Sequence, residues 1–336
     1  MGRTIVCEDG IKVKEFNFLS SNMYTEIHGK LWIPEGTIVA VVQISHGMQE
    51  HIDRYDEFAR YLAKRGILVA GNSHMGHGDS VNNTDDYGYF SIPIKGMNKK
   101  QKINHDSSAN VVKDLYHITK VVKKHYPGLP YILLGHSMGS FMVRRYLMQY
   151  GNVVDGAIII GTGNQPEKLL KAGRMIVNGI TMIKGERFRS SLVNDILFGA
   201  YNREIENPLS KEDWICSDRD TINKYREDEK CGFLFTMNGI EALISTMEYI
   251  IKDENIAKLP KNVKMLLASG KEDPVGNYGE DVEEIYEKYK KHGVRDISMK
   301  MYDGCRHEIL NETIRETIYA DIYDWIKEHI CTSYRA

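Results

Sequence analysis

What this chain of 336 residues lacks narrows its class. It has no run of about 18 apolar residues, the length that a membrane-crossing helix needs, so no transmembrane helix is expected. The first residues, Met1-Gly-Arg-Thr-Ile-Val-Cys-Glu-Asp-Gly10, lack the apolar stretch of a secretory signal, and a cytoplasmic protein is expected. Cysteines are few and odd in number (Cys7, Cys216, Cys231, Cys305 and Cys331), with no Cys-x-x-Cys spacing, which reads as reduced thiols rather than a disulfide framework. The formal net charge is only -2, so no global field favours nucleic acid or an anionic membrane. Internal repeats and low-complexity tracts are missing too. What remains is 42% hydrophobic and 27% charged, the balance of a globular protein, and long enough for one large domain with an insertion or for two domains.

One stretch organises the rest: Tyr131-Ile-Leu-Leu-Gly135-His-Ser137-Met-Gly139-Ser-Phe-Met-Val143. Its apolar start reads as a buried strand, and its later apolar residues recur at helical spacing. Gly-x-Ser-x-Gly between a strand and a helix is the nucleophile elbow of the α/β-hydrolases. A sharp turn there strains Ser137 and leaves no room for side chains at Gly135 and Gly139. The motif alone is weak. With strand before and helix after, it outweighs an ordinary turn.

Taken in order, residues 11–18 and 27–33 alternate as two early antiparallel strands, and 38–44 reads as a central strand. A helix is expected at 54–65, a strand at 67–70, a long surface loop at 81–102 and a helix at 103–126. After a strand at 156–160, the next convincing one is 263–268, roughly one hundred residues on. Connections in such sheets are short, so the segment between them reads as an insertion. It shows helical patterns near 166–183, 190–199, 219–227 and 236–251. A helix at 277–292, a strand at 296–301 and a helix at 311–330 close the chain. The fold class is α/β: a mainly parallel central sheet with helices on both faces and an inserted helical cap. The divisions are 1–161 and 256–336 for the core and 162–255 for the cap.

A serine hydroxyl needs a base, and the base an orienting acid, in the chain order nucleophile, acid, base for this fold. Downstream of Ser137, the loop after strand 263–268 offers Asp273, with Glu272 adjacent. The loop after strand 296–301 offers His307, with Asp303 as a competing acid. Acyl transfer also needs fixed N–H donors for the developing oxyanion. These are expected from the amide of Met138 and, next to Gly47, from the amide of Met48. His46, His51, His74 and His77 lie in two loops near this site. No carboxylate or thiolate completes a familiar metal spacing with them, so hydrogen bonding within the loops is the expected role, with no metal and no cofactor.

At this level the chain resembles the monoacylglycerol lipase and lysophospholipase-like family of α/β-hydrolases, in its bacterial form. The carrying stretches are Ser45-His-Gly-Met-Gln-Glu-His-Ile-Asp-Arg-Tyr55, His74-Met-Gly-His-Gly-Asp-Ser80, Gly135-His-Ser-Met-Gly139, Gly270-Lys-Glu-Asp-Pro-Val-Gly276 and Arg306-His-Glu-Ile-Leu-Asn-Glu312. The resemblance implies Ser137, Asp273 and His307 as a triad, the Met48 and Met138 amides as an oxyanion hole, and an acyl pocket under a helical cap. Ser73 departs from the family, which has Asp there, and this puts the hydrogen bonding of the 72–80 loop in question. The function expected is hydrolysis of carboxylic esters of monoacylglycerol or lysophospholipid type, with transient lipid-surface contact through the cap. The alternatives are a small-ester carboxylesterase, an amidase or peptidase, and a non-catalytic binding protein.

Overall fold

The protein was analysed as a computed structural model, which describes residues 4–6, 9–90 and 106–332. Cys7, residues 91–102 of the expected loop and 103–105 of the expected helix lie outside the described residues. Among the described residues, nine strands form one sheet in the order β1-β2-β3-β5-β4-β6-β7-β8-β9. They are β1 (Thr4–Val6), β2 (Lys12–Leu19), β3 (Glu26–Ile33), β4 (Ala40–Ser45), β5 (Ile67–Asn72), β6 (Tyr131–His136), β7 (Gly156–Ile160), β8 (Lys264–Gly270) and β9 (Ile297–Tyr302). The first three pair antiparallel and join β5 antiparallel. From β5 to β9 all neighbours run parallel.

The parallel strands inside the β9 edge are buried on both sides because helices cover both sides. Successive residues point to opposite faces. Val42, Ile44, Ile132, Leu134 and Ile158 therefore meet α1 (Asp56–Ala63) and the last α-helix (Arg315–Trp325). Val41, Leu133, Ala157 and Ile159 meet the helices Ser108–His125 (α2), Met138–Tyr150 (α3) and, later in the chain, Glu280–Lys291. Leu133 is fully buried; truncating it to Ala would cost about 2–5 kcal/mol.

Between β7 and β8 the chain forms helices α4 (Glu167–Lys184), α5 (Ser191–Phe198), α6 (Arg219–Glu227), α7 (Met237–Ile250) and the short α8 (Asp253–Ile256); α9 is Glu280–Lys291 and α10 Arg315–Trp325. Three of these starts are written in the sequence: the side chains of Ser190, Asp218 and Thr236 accept hydrogen bonds from the backbone amides of α5, α6 and α7. Such a cap is worth ~1 kcal/mol. Among the described residues, the only ladder contact in the segment is an isolated bridge between Arg189 and Thr236.

Three expectations change in detail. The helix expected at 54–65 begins as a 3-10 turn, Ile52–Tyr55, before α1. The one expected at 311–330 is broken into a 3-10 turn, α10 and a π-helical turn, Ile326–Cys331. Residues 86–90 are not a surface loop: Phe90 is buried against Phe235 and His77, and the Gly88 carbonyl accepts from the Thr236 hydroxyl at 2.8 Å. Long-range packing against the insertion decides this, and polar local composition does not reveal it.

Candidate active site

Ser137 sits between β6 and α3 with φ 53° and ψ -124°, a left-handed conformation that costs a non-glycine residue on the order of 1–3 kcal/mol. The surroundings enforce it. The Ser137 amide donates to the Ile160 carbonyl at 3.0 Å. A Cβ on Gly139 would lie 2.0 Å from the Ser45 carbonyl oxygen, and one on Gly135 would lie 2.5 Å from that of Gly139. Both glycines are therefore required by close backbone approach. The turn presents the hydroxyl at the carboxyl edge of the sheet, where the first amides of α3, starting with Met138, have no acceptor within the helix.

Asp273 follows β8 and is fully buried. Its Oδ1 accepts from the Val275 amide at 2.9 Å, and its Oδ2 from the Ser269 hydroxyl at 3.1 Å. His307 follows β9, is 3% exposed, and places Nδ1 3.0 Å from each Asp273 oxygen. Its other nitrogen, Nε2, is buried and has no hydrogen-bond partner among the described residues. Asp303 lies elsewhere: it is exposed and pairs with Lys271 at 2.8 Å. Glu272 faces Arg306 instead, at 3.7 Å.

Ser137 and His307 open onto one cavity of about 450 Å³. Gly47, Met48, Glu50, His136 and Glu308 line the same end. Gly47 belongs here because a Cβ on it would lie 3.2 Å from that of Ser137 and 2.5 Å from Glu50 Oε1. The far wall comes from the helices between β7 and β8 and from α3: Phe141, Leu169, Leu170, Ile176, Ile240, Leu243, Ile244 and Met247. The Trp214 ring packs tilted against the His307 ring, centroids 5.1 Å apart, and Tyr201 and Tyr225 also line the cavity.

The loop bearing Met48 is fixed by a buried polar network that sequence reasoning missed. Glu50 Oε1 accepts from the Gly47 amide at 2.5 Å and from the Tyr55 hydroxyl at 2.8 Å, and faces His136 Nδ1 at 3.2 Å. Arg54 donates to Glu50 at 2.8 Å and makes a two-pronged pair with Glu308 at 2.5 and 2.7 Å. Burial alone would raise the Glu50 carboxyl, but the His136 hydrogen bond and the charges of Arg54 and His136 hold it well below the usual range. Burial likewise opposes charge on His136, yet the bond to Glu50 raises its pKa. The 254 residues between Arg54 and Glu308 left no local signal to find.

The four loop histidines divide. His46, His74 and His77 are buried together, with ring centroids 4.1 Å apart for the first two. His46 Nε2 accepts from the His74 amide at 2.8 Å, His74 Nε2 lies 3.0 Å from the Ser45 hydroxyl, and His77 Nδ1 lies 3.1 Å from the Met75 carbonyl. Burial pushes all three pKa values down, that of His74 to about 3 and that of His77 to about 4. His51 stands apart, beside Asp228. At Ser73 the backbone does the holding: its carbonyl accepts from Asn72 Nδ2 at 2.8 Å and Ser80 Oγ at 2.7 Å.

Residues 36–314 match the family described as serine aminopeptidase, S33, and the chain belongs to it. It is 26% identical over 305 residues to the monoglyceride lipase homolog of monkeypox virus, covering 89% of this chain and 94% of that protein. It is 22% identical over 304 residues to the monoacylglycerol lipase of Mycolicibacterium smegmatis, covering 89% of this chain and 92% of that one. A solved structure, the highly thermostable carboxyl esterase from Bacillus coagulans in complex with glycerol, aligns with a TM-score of 0.85 and 27% identity, over 95% of this chain and 99% of that one. The fold is that of the α/β-hydrolases, and the chain is monoglyceride-lipase-like. No helix among the described residues is long and apolar enough to cross a membrane.

Proposed function

We propose that this serine ester hydrolase cleaves monoacylglycerols or closely related neutral lipid esters in the cytoplasm, with residues 162–255 acting as a helical cap over the site. The observation that carries this is the cavity: Ser137 and His307, whose Nε2 has no hydrogen-bond partner among the described residues, both line it, and apolar side chains of residues 162–255 line much of the rest. Ser137 attacks the acyl carbonyl and passes its proton to His307 Nε2. Asp273 holds the imidazole by Nδ1 and balances its charge. The amides of Met48 and Met138 stabilise the oxyanion. His307 then protonates the leaving alcohol, and water, activated by the same imidazole, releases the acid.

The polar end favours a neutral headgroup. Two carboxylates, Glu50 and Glu308, already share the Arg54 guanidinium, and Glu50 also faces His136 Nδ1 at 3.2 Å. Neither a lysophospholipid phosphate nor a peptide α-ammonium finds a spare counter-charge there. Leu169, Ile176 and Ile196 line the cavity yet are exposed, and Ile183, Leu192 and Leu209 extend the exposed apolar surface of the insertion. This supports transient contact of the cap with a lipid surface.

The test is labelling of wild type and Ser137→Ala by a fluorophosphonate, followed by matched monoacylglycerol, lysophosphatidylcholine and aminoacyl anilide substrates. Labelling lost in the variant, with the glycerol ester turned over fastest, supports the reading. Preference for the phospholipid or the anilide overturns the headgroup assignment.

A further inference from the structure

His51, Asp228 and Cys231 bring one ligand atom each to a common point, all within 4.8 Å of one another. They come from two segments: the loop after β4, and the turn after α6 in the insertion. His51 and Asp228 are 177 residues apart in sequence and in contact, with Nε2 2.7 Å from Oδ2. The segments are also joined through backbone, the Gly232 amide donating to the Gln49 carbonyl at 3.0 Å. His51 and Cys231 are buried, while Asp228 is partly open to solvent and leaves a path of entry.

A second feature points to a ligand. The far nitrogen of His51, Nδ1, is buried without a hydrogen-bond partner among the described residues and faces Asp53 Oδ2 at 3.7 Å. A carboxylate behind the imidazole is the arrangement that orients metal-bound histidines. Asp53 is itself held by Lys30 at 2.7 Å. None of these groups lines the cavity above Ser137.

We propose that His51 Nε2, Asp228 and the Cys231 thiolate bind one zinc ion, which staples the insertion to the loop that carries Met48. The mixed nitrogen, oxygen and sulfur donors suit zinc better than hard cations such as magnesium or calcium. Three protein ligands leave the fourth tetrahedral position to water. On binding, the Cys231 thiol proton and any proton on His51 Nε2 leave to solvent and the metal takes their place, the ring keeping a proton on Nδ1 toward Asp53. Zinc stays divalent throughout.

The experiment uses untagged full-length protein, stripped with a chelator and titrated with cobalt(II), then with zinc. A thiolate-to-cobalt charge-transfer band saturating at one equivalent per chain, abolished by zinc and absent in Cys231→Ser, is the expected result. Asp53→Asn should weaken cobalt binding roughly 10–100-fold while keeping the stoichiometry. Zinc should raise the unfolding temperature of wild type and not that of Cys231→Ser. A wild-type protein that shows no saturable band, or binding unchanged by Cys231→Ser, overturns the site. The wild-type titration decides the question even if the variant folds poorly.

Discussion

Both carboxylate oxygens of Asp273 lie 3.0 Å from Nδ1 of His307, across 34 residues of chain. The acid does not depend on the histidine for its place, because Val275 and Ser269 each hold one oxygen. An Asn at 273 would turn an N–H toward Nδ1 and favour the wrong imidazole tautomer. Asp273→Asn is expected to lower kcat by about 10⁴, as for the equivalent change in serine proteases. Asp303→Asn, which breaks an exposed pair with Lys271, should change kcat by less than about threefold. Turnover of a 4-nitrophenyl ester by both variants checks this, and the opposite ranking would give the acid role to Asp303.

Ser137→Ala should remove on the order of 10⁶ in turnover. A sharper test uses stability. Alanine keeps a Cβ at φ 53°, whereas glycine does not. Ser137→Gly should therefore be as inactive as Ser137→Ala but unfold at a higher temperature. Equal or reversed unfolding temperatures would mean that the elbow stores little strain.

Arg54→Met should be among the most damaging single changes near the cavity. It would leave Glu50 and Glu308, both buried, facing one another without their shared cation. Removing one partner of a buried ion pair costs about 3–5 kcal/mol. The orphaned carboxylates can recover part of this by taking up protons, so the deficit in urea unfolding should be smaller at pH 5 than at pH 8. A deficit independent of pH would point to lost packing on Tyr225, over which the guanidinium lies at 4.9 Å.

The parts of this site that follow from the chain alone are those with local causes. Gly135-x-Ser137-x-Gly139 carries its own steric signature, and Asp273 and His307 are each flagged by the strand before them. Strand and helix positions within the parallel sheet followed from apolar periodicity. What stayed hidden depends on contacts between distant segments: Arg54 with Glu308, His51 with Asp228, Trp214 on His307, Phe90 under Phe235. β1 escaped as well, since three residues are too few to show an alternation. The π-helical turn at Ile326–Cys331 has no breaker residue to announce it.

The histidine cluster predicts an acid limit to stability. His46, His74 and His77 have folded pKa values depressed by burial, those of His74 and His77 to about 3 and about 4. In the unfolded chain all three take up protons near pH 6.5. Below that pH the unfolded state binds more protons than the folded one, so stability falls as pH falls. Above it these groups contribute no slope. His51 and His136 have raised pKa values, so below pH 6.5 they are charged in both states and do not offset the loss. Each of the three contributes about 1.4 kcal/mol per pH unit once well below pH 6.5. Urea unfolding at pH 7, 6, 5 and 4.5 should show a steepening loss, blunted in His77→Phe. A flat profile over this range would mean that the imidazoles gain protons without opening the fold.

The cavity above Ser137 makes a further prediction about acyl length. Its deep wall is Ile240, Leu243 and Ile244 on α7 with Phe141 on α3, all buried, and its mouth is Leu169 and Ile176 on α4, both exposed. An acyl chain leaving the Ser137 end meets apolar surface throughout. Each methylene buried contributes about 0.8 kcal/mol, equivalent to roughly fourfold in kcat/KM where it is bound in the transition state. In a homologous series of 4-nitrophenyl esters, measured below their aggregation concentrations, kcat/KM should climb over several carbons and then fall once the cavity is filled. Ile244→Trp narrows the deep wall and should move the maximum to shorter chains while leaving the acetate value within about twofold. A profile that declines steadily from acetate upward would instead mean that the insertion helices pack only on one another, and would make the protein a small-ester hydrolase.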